Sequence, residues 1–266
     1  MNMFWREVAN YRRATVIWTV TLSILVSGFL SIFPAFSRDA GAAQQILTHL
    51  PAAVRSALDL SLASFFTVYG FFSYLFTFVA LAGAVQAMNL GVGLLSREDS
   101  GKTVDFLLTK PVSRQRVVTS KLLAGTLLLV ATNLVFSTVA LVMAKSVSAA
   151  AFSSRTFLLL SATLLLIQLF FLALGVLMSV IIPKIKSVIA ISLPTVFSFF
   201  IIGTLGAIIG NDAVKYLSPF KFFDPGYIVG RAGYEPKFLM IEAAFILISL
   251  SLSYVIYLQK DIRATS

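Results

Sequence analysis

The chain contains no cysteine and a single histidine, His49. Without cysteine, a disulfide framework, thiol catalysis and a cysteine-based metal site are all excluded. One histidine cannot form a histidine cluster around a metal ion. Neither a serine–histidine–aspartate set nor a pair of carboxylates can be assembled, so the sequence predicts no catalytic, metal-binding or cofactor-binding residues in this chain.

Charged residues are also scarce. They make up 12% of the 266 residues, whereas 58% of the residues are hydrophobic and the mean hydropathy is +0.93. About a quarter of the residues in an ordinary globular protein are charged, and they cover its surface. The composition therefore indicates an integral membrane protein that is surrounded by the lipid bilayer.

Most of the few charges are positive, and the formal net charge is +10. Such a balance can indicate nucleic-acid binding, but here Lys and Arg lie at the ends of apolar runs instead of in one patch. At these positions they orient membrane helices and contact anionic lipid. We therefore predict no nucleic-acid partner.

Long apolar runs occupy most of the chain. A membrane-spanning helix needs about 20 residues. The runs that reach this length are 14–36, 62–95, 122–144, 156–182, 187–210 and 238–258. The sequence thus predicts an all-α polytopic protein with six transmembrane helices, in which residues 1–266 form a single transmembrane domain. An even number of spans places both termini on one side of the membrane.

The distribution of Lys and Arg predicts the orientation. Of the 21 positive residues, thirteen lie at the termini, in the segment 96–121 and between the fourth and fifth runs, and eight lie on the opposite side. Cytoplasmic loops carry the excess of positive charge. We therefore predict a multi-pass protein of the cell membrane with cytoplasmic N- and C-termini.

The segment before the first run has a pattern of its own. Phe4, Val8 and Tyr11 share one helical face, Trp5 lies beside Phe4, and the charged residues lie elsewhere. A short amphipathic helix over residues 1–13, lying along the inner membrane surface, fits this pattern. The alternative is a charged anchor for the first span.

A few polar residues interrupt the spans. The amides of Gln86, Asn89, Asn133 and Gln168 are typical of helix packing, because polar groups in hydrocarbon seek partners on neighbouring helices. Glu242 is the only carboxylate within a predicted span. For its side chain we favour snorkelling to the outer interface over a role in a proton relay.

The fifth run and the segment after it differ in composition from the other runs. Gly203 and Ala207, like Gly206 and Gly210, are four residues apart, a spacing that lets another helix approach closely. Residues 211–237, the outer segment, are rich in aromatic residues and proline. Aromatic residues favour the membrane interface and proline interrupts helices. We therefore expect a short re-entrant or surface-lying cap there.

The largest polar segment, 96–121, contains Gly101-Lys102-Thr103, which looks like the end of a nucleotide-binding P-loop. Such a loop also needs a glycine five positions earlier and a strand before it. Position 96 is serine, and the residues before it belong to an apolar run. The chain is therefore predicted not to bind or hydrolyse ATP itself.

The same segment has an apolar stripe. Val104, Leu107 and Leu108 share one helical face, which predicts a short helix from about 99 to 109. Pro111 ends this helix, because a proline disfavours helical backbone in the residue before it. The alternative is an ordinary solvated hairpin.

This segment resembles the cytosolic loop of type-2 ABC transporter permeases. The resemblance is carried by Glu98-Asp99-x-Gly101-x-Thr103, by Leu107-Leu108, by Pro111-Val112-Ser113-Arg114 and by Lys121 at the start of the next helix. In these permeases the glycine and threonine form a pair, whereas here Lys102 separates them. Residues 216–224 are similar to the segment before the last helix in many of these permeases.

The resemblance implies a permease that pairs with a separate cytosolic ATPase, as two permease and two ATPase subunits, with ATP and Mg²⁺ bound by the ATPase. In such exporters the loop 96–109 is a coupling helix seated in a groove of the ATPase. The implied coupling residues are Arg97, Glu98, Asp99, Gly101, Thr103, Leu107, Leu108 and Arg114. The implied N-terminal interface residues are Phe4, Trp5, Val8 and Tyr11, and those near the dimer axis are Gly203, Gly206, Ala207 and Gly210.

Together these observations predict an exporter permease for hydrophobic or amphipathic cargo, such as a peptide, an antibiotic or a lipid-like molecule. The second permease subunit is identical or homologous. The alternative is a stand-alone secondary transporter or channel, which needs a charged or discontinuous pathway through the spans. Glu242 is the one indication of such a pathway.

Overall fold

The computed structural model of the protein describes residues 3–38, 49, 51, 65–100, 114–148, 150–210 and 212–259. Its helices are α1 (Met3–Arg38), α2 (Val68–Ser100), α3 (Arg114–Val147), α4 (Ser154–Ile181), α5 (Val188–Ile209), α6 (Pro225–Arg231) and α7 (Pro236–Gln259). Two 3-10 turns, Asp212–Tyr216 and Pro219–Lys221, lie between α5 and α6. Within these ranges no residue belongs to a strand, which confirms the predicted all-α fold.

Six of these helices, all but α6, are long and apolar enough to cross a membrane. The shortest, α5, has 22 residues. At 1.5 Å per residue it extends about 33 Å, which matches a hydrocarbon core of about 30 Å. The described part of the chain therefore contains the six predicted spans.

Helix ends follow from local sequence signals. The Ser153 hydroxyl accepts a hydrogen bond from the Thr156 amide at 3.3 Å and so caps α4. Ser187 caps α5 in the same way through the Ala190 amide. Gly210 ends α5 with a φ of 71°, a left-handed conformation that glycine adopts without strain. These capping residues lie close to the predicted boundaries of the fourth and fifth spans.

The N-terminal residues do not form a separate short helix. α1 runs without a break from Met3 to Arg38, so the predicted segment 1–13 continues directly into the first span. Helical hydrogen bonding does not stop where hydrocarbon begins, and no proline or glycine interrupts the sequence near residue 13. The predicted position of this segment on the membrane surface stays a prediction.

The centre of the bundle is α4. In the most hydrophobic stretch of α4, 61% of the residues are buried. The corresponding share is 56% for α2 and 17% for both α5 and α7. α4 packs along α2 and α7, while α1 packs along α3. Helices α5 and α7 therefore lie at the periphery of the bundle.

The outer segment folds back onto the spans. Pro219 and Pro225 each occupy the first position of a helical turn, where proline fits because no intrahelical amide is needed there. Phe222 and Phe223 are only 3% and 7% exposed, and the Phe222 ring stacks 5.6 Å from Phe238 of α7. These two aromatic residues are part of the core, not of an exposed interfacial belt.

Candidate functional site

The predicted coupling segment is only partly within the described residues. Gly101, Thr103, Leu107 and Leu108 lie outside them. Residues 97–99, with Arg97, Glu98 and Asp99, belong to the last turns of α2. The predicted coupling helix therefore stays a prediction, and the described structure shows the two helices that flank it.

The start of α3 is tied to the end of α7. The guanidinium of Arg114 donates to the Leu258 carbonyl at 3.3 Å, and the Tyr254 hydroxyl donates to the Gln115 carbonyl at 2.8 Å. The Tyr254 hydroxyl also contacts the hydroxyl of Thr119. The C-terminal end of the last span thus lies at the same end of the bundle as the coupling segment.

A buried lysine connects three helices at this end. The ammonium of Lys121 lies 3.5 Å from a carboxylate oxygen of Glu7 and donates to the Leu94 carbonyl at 2.5 Å. The side chains of Lys121 and Glu7 are only 5% and 12% exposed. A buried charge is tolerated when it is paired and hydrogen-bonded. We call these two side chains and the Leu94 carbonyl the lysine junction.

Sequence reasoning missed the lysine junction. The sequence assigns Lys121 to the cytoplasmic positive charges, and Glu7 to the charged residues that lie off the apolar face of the N-terminal segment. The sequence shows only that Lys121 directly precedes the apolar run 122–144, because the start of α3 at Arg114, two turns before Lys121, is not visible in it. A charge at such a position has to be exposed to water or paired with another group.

The four predicted N-terminal interface residues do not share one environment. Trp5 is 58% exposed, whereas Tyr11 is 8% exposed and its hydroxyl lies against Gly93 of α2. The rings of Phe4 and Trp5 contact each other edge to face at 5.1 Å, and Val8 is half-buried against the core. Tyr11 thus connects α1 to α2 one turn away from the lysine junction.

Halfway along the spans, polar side chains from four helices form one cluster. The Gln168 amide donates to Gln86 at 3.0 Å and accepts from Asn133 at 2.5 Å. The Gln86 amide donates to the Thr132 hydroxyl at 3.2 Å, and the Thr19 and Thr132 hydroxyls are 3.0 Å apart. We call these five residues the amide cluster. It joins α1, α2, α3 and α4.

The sequence predicted a packing role for the amides, and three of the four are in the amide cluster. Asn89 is not part of the cluster; its side-chain oxygen, like that of Asn133, is buried without a hydrogen-bond partner among the described residues. No ionisable group belongs to the cluster. It can therefore hold four helices together, but it cannot transfer a proton through titration of its own side chains.

A comparison with protein families identifies the chain. A profile described as ABC-2 family transporter protein matches residues 1–262. The chain belongs to this ABC-2 family. No curated protein matches it. Membership makes it a multi-pass membrane component of a transporter, not a catalytic subunit, and implies pairing with an ATP-binding subunit.

Two of the predicted dimer-axis residues of this ABC-2 protein face its own outer segment. A side chain at Gly203 would come within 2.7 Å of the Ser218 hydroxyl, and one at Gly206 would collide with the Val214 side chain. Ala207 is half-buried and Gly210 is exposed at the end of α5. Gly203 and Gly206 therefore have a packing role within the chain, and a position near a dimer axis stays a prediction for all four residues.

Glu242 does not snorkel. Its side chain is 3% exposed, and neither carboxylate oxygen has a hydrogen-bond partner among the described residues. Nearby, the Tyr234 hydroxyl donates to the Leu159 carbonyl at 2.6 Å. Burial raises the pKa of Tyr234; a hydrogen bond with Thr163 opposes this rise, and the charge of Glu242 adds to it. The predicted exposure of Glu242 was wrong because its place in α7 turns it toward the bundle.

Proposed function

We propose that this chain is the permease subunit of an ATP-driven exporter for hydrophobic or amphipathic cargo, such as a peptide, an antibiotic or a lipid-like molecule. Two permease subunits, identical or homologous, pair with two cytosolic ATPase subunits, which bind ATP and Mg²⁺. The N- and C-termini and the segment 96–121 face the cytoplasm. The ATPase contacts this segment.

The observation that carries the proposal beyond family membership is the lysine junction. Residues 101–113 connect the end of α2 to the start of α3, so an ATPase that moves this segment moves both helix ends. Lys121 holds the ends of α2 and α3 together and also holds Glu7 of α1. A displacement at the coupling segment is therefore passed to three spans at once, which is what a permease driven from the cytoplasm requires.

The structure offers little support for the alternative, a stand-alone secondary transporter or channel. Such proteins commonly use discontinuous helices and charged groups along the pathway. Within the described ranges the six long helices are continuous. Their buried acidic residues are Glu7, which is paired with Lys121 near the start of α1, and Glu242 of α7. Its carboxylate is enclosed by protein, so it does not line an open pathway.

Charge reversal at Glu98 tests the proposal. The permease is co-expressed with its P-loop ATPase, and complex assembly and ATP-dependent transport are measured for Glu98→Lys and for a control, Asp261→Lys. An ordinary surface substitution changes stability by about 0.5 kcal/mol or less. An interfacial charge contact contributes a few kcal/mol, roughly 2–5. We expect Glu98→Lys to insert normally and to lose assembly or transport, while Asp261→Lys keeps both.

Three results would each contradict a part of this proposal. Normal assembly and transport by Glu98→Lys would show that the segment is not a coupling element. Loss of Glu98→Lys from the membrane would show that the segment has a structural role instead. ATP hydrolysis by the purified permease in a preparation free of other ATPases would contradict the assignment of ATP to a partner.

A further inference from the structure

The connection between α4 and α5 is short and carries two lysines. α4 ends at Ile181 and α5 begins at Val188, so residues 182–187 turn the chain back across the membrane. We call this segment the elbow. Its charged residues, Lys184 and Lys186, are both exposed, and neither has a hydrogen bond or an ion pair with a described residue.

The elbow is held at the level of the lipid headgroups. No charged residue lies between Arg155 and the elbow, or between the elbow and Asp212. α5, which follows the elbow directly, extends about 33 Å and so has little length beyond a hydrocarbon core of about 30 Å. Ile181 and Ile189, on either side of the elbow, are exposed apolar residues. The two lysines therefore follow directly on surface that contacts acyl chains.

The elbow lies at the same end of the bundle as the coupling segment. α2 and α4 run parallel, because a side chain at Gly83 would lie 3.1 Å from the amide nitrogen of Gln168. Eight residues further along α2, a side chain at Gly91 would lie 3.1 Å from the Gly175 Cα. The C-terminal ends of both helices thus point the same way. With the predicted orientation this is the cytoplasmic leaflet, where anionic lipids are found.

The charge of the elbow is not neutralised within the described chain. The elbow contains no acidic residue, and Glu7, the buried acid at this end of the bundle, already pairs with Lys121. The Cα atoms of Lys184 and Lys186 are two residues apart, at most about 7 Å. Because the lysine side chain is long and flexible, both ammonium groups can reach one phosphate.

The backbone of the elbow gives no reason for a lysine at position 184. Lys184 has a φ of 57°, a left-handed conformation that few residues other than glycine adopt. Glycine would take it without strain. The next residue, Ile185, is half-buried against the core and so anchors the backbone between the two lysines. A strained lysine on an anchored turn favours a role for its side chain.

We propose that the elbow binds the headgroup of an anionic phospholipid. Lys184 and Lys186 pair with its phosphate and its net negative charge, and its acyl chains lie along Ile181 and Ile189. This contact joins the permease to its own bilayer, so it does not depend on the proposed exporter function.

Photolabelling of the permease without its ATPase tests the site. The purified protein is placed in phosphatidylcholine nanodiscs that contain a trace of a phosphatidylglycerol analogue, or of a phosphatidylcholine analogue, with a diazirine near the start of one acyl chain. Labelled peptides are identified by mass spectrometry. Each lysine at a membrane surface strengthens the binding of an anionic lipid about fivefold, so we expect the phosphatidylglycerol analogue to label the peptides beside the elbow about twentyfold more.

Matched variants assign this preference to the two lysines. Lys184→Gly removes the charge and suits the left-handed backbone, so it should fold at least as well as the unsubstituted protein. We expect Lys184→Gly and Lys186→Gln each to lower the preference about fivefold, and the double variant to abolish it. Lys184→Arg should retain it. Lys145→Gln, at an exposed lysine near the opposite end of α3, is the control and should leave labelling at the elbow unchanged.

Several outcomes would overturn the proposal. They are equal labelling of the elbow by the two analogues, a preference that persists in the double variant, or an equal loss in Lys145→Gln. Thermal unfolding of each variant verifies its fold. Loss of ATPase assembly in the double variant, with its lipid labelling unchanged, would assign the lysines to a protein partner instead. Because the labelling uses the permease alone, its failure leaves the exporter function intact, which the Glu98→Lys experiment tests separately.

Discussion

At the scale of single residues, the protein is organised by the few polar groups that it buries. In an apolar bundle, a buried charge or amide destabilises the fold unless it finds a partner. Lys121 and Glu7 satisfy each other at one end of the bundle, and Gln168 connects Gln86 to Asn133 in its middle. Each of these contacts joins side chains or backbone groups of different helices and so adds to what the connecting loops provide.

Removing the charge of Lys121 should destabilise the protein. Lys121→Met leaves the carboxylate of Glu7 buried without its partner, and we expect a loss of about 3 kcal/mol. Glu7→Gln should lose less, because Lys121 still donates to the Leu94 carbonyl. Thermal unfolding in detergent measures both, with Lys145→Met at the exposed end of α3 as the control. Equal melting temperatures for Lys121→Met and Lys145→Met would contradict this account.

Substitutions at Gln168 and Asn89 should have different effects on the stability of the protein. Gln168→Leu removes the donor to the Gln86 side-chain oxygen and the acceptor for one Asn133 amide proton, although Gln86 still donates to Thr132 and Asn133 to the Leu129 carbonyl. We expect it to lose about 1–2 kcal/mol. Asn89→Leu removes a side-chain oxygen that already lacks a partner, so its stability should be unchanged or higher. Urea or thermal unfolding of the two variants distinguishes them, and a more stable Gln168→Leu would show that the amide cluster does not support the fold.

At the scale of elements, α2 and α4 cross with their backbones in contact. A side chain at Gly91 would lie 2.4 Å from the Leu172 carbonyl oxygen and 3.1 Å from the Gly175 Cα. A side chain at Gly175 would lie 2.8 Å from the Met88 carbonyl oxygen. Backbone atoms cannot rotate away as a flexible side chain can. The closest packing of two central helices therefore depends on these two glycines.

Gly91→Ala should separate α2 from α4 and destabilise the protein by about 1–3 kcal/mol, the usual effect of overpacking. Gly28→Ala on α1 is the matched control, because nothing lies within 4 Å of its added methyl group. Alanine is also the better helix former by up to about 1 kcal/mol. We therefore expect opposite shifts of the melting temperature in the two variants. Shifts of the same sign would contradict the close crossing.

At the scale of the whole molecule, the number and order of the spans could be predicted from the sequence, but the starts of α1 and α3 could not. The length of a membrane-spanning apolar run is set by the thickness of the bilayer, and such a run can be recognised in one sequence. Helical hydrogen bonding continues past the hydrocarbon. α3 therefore begins at Arg114 and not near 122, and α1 includes the N-terminal segment.

The contacts between helices could not be predicted, because they join residues far apart in sequence. The polar character of Gln168 was evident, but not its partners 82 and 35 residues away. The same limit applies to Glu242 and Gly203, because the residues that contact each of them belong to a different helix or turn. The position of a residue along its span can be predicted from one sequence, but its contacts in neighbouring helices can be identified only from the three-dimensional structure.

The orientation of the molecule can be tested in intact cells, because the chain has no cysteine of its own. Ala150→Cys and Lys215→Cys lie at exposed positions on the predicted outer side and should react with an impermeant thiol reagent. Ser100→Cys and Ser266→Cys should react only after the membrane is permeabilised. Labelling of either of the last two in intact cells would reverse the predicted topology.

The hydrogen bond between Asn133 and Gln168 has a consequence for how the protein is made. These residues lie on consecutive helices, α3 and α4, which are separated only by residues 148–153. During synthesis α3 is complete first, and an amide released alone into lipid would have no partner from another helix. We expect α3 to remain beside the insertion channel until α4 arrives, so that the two helices enter the bilayer as a hairpin with this hydrogen bond already formed.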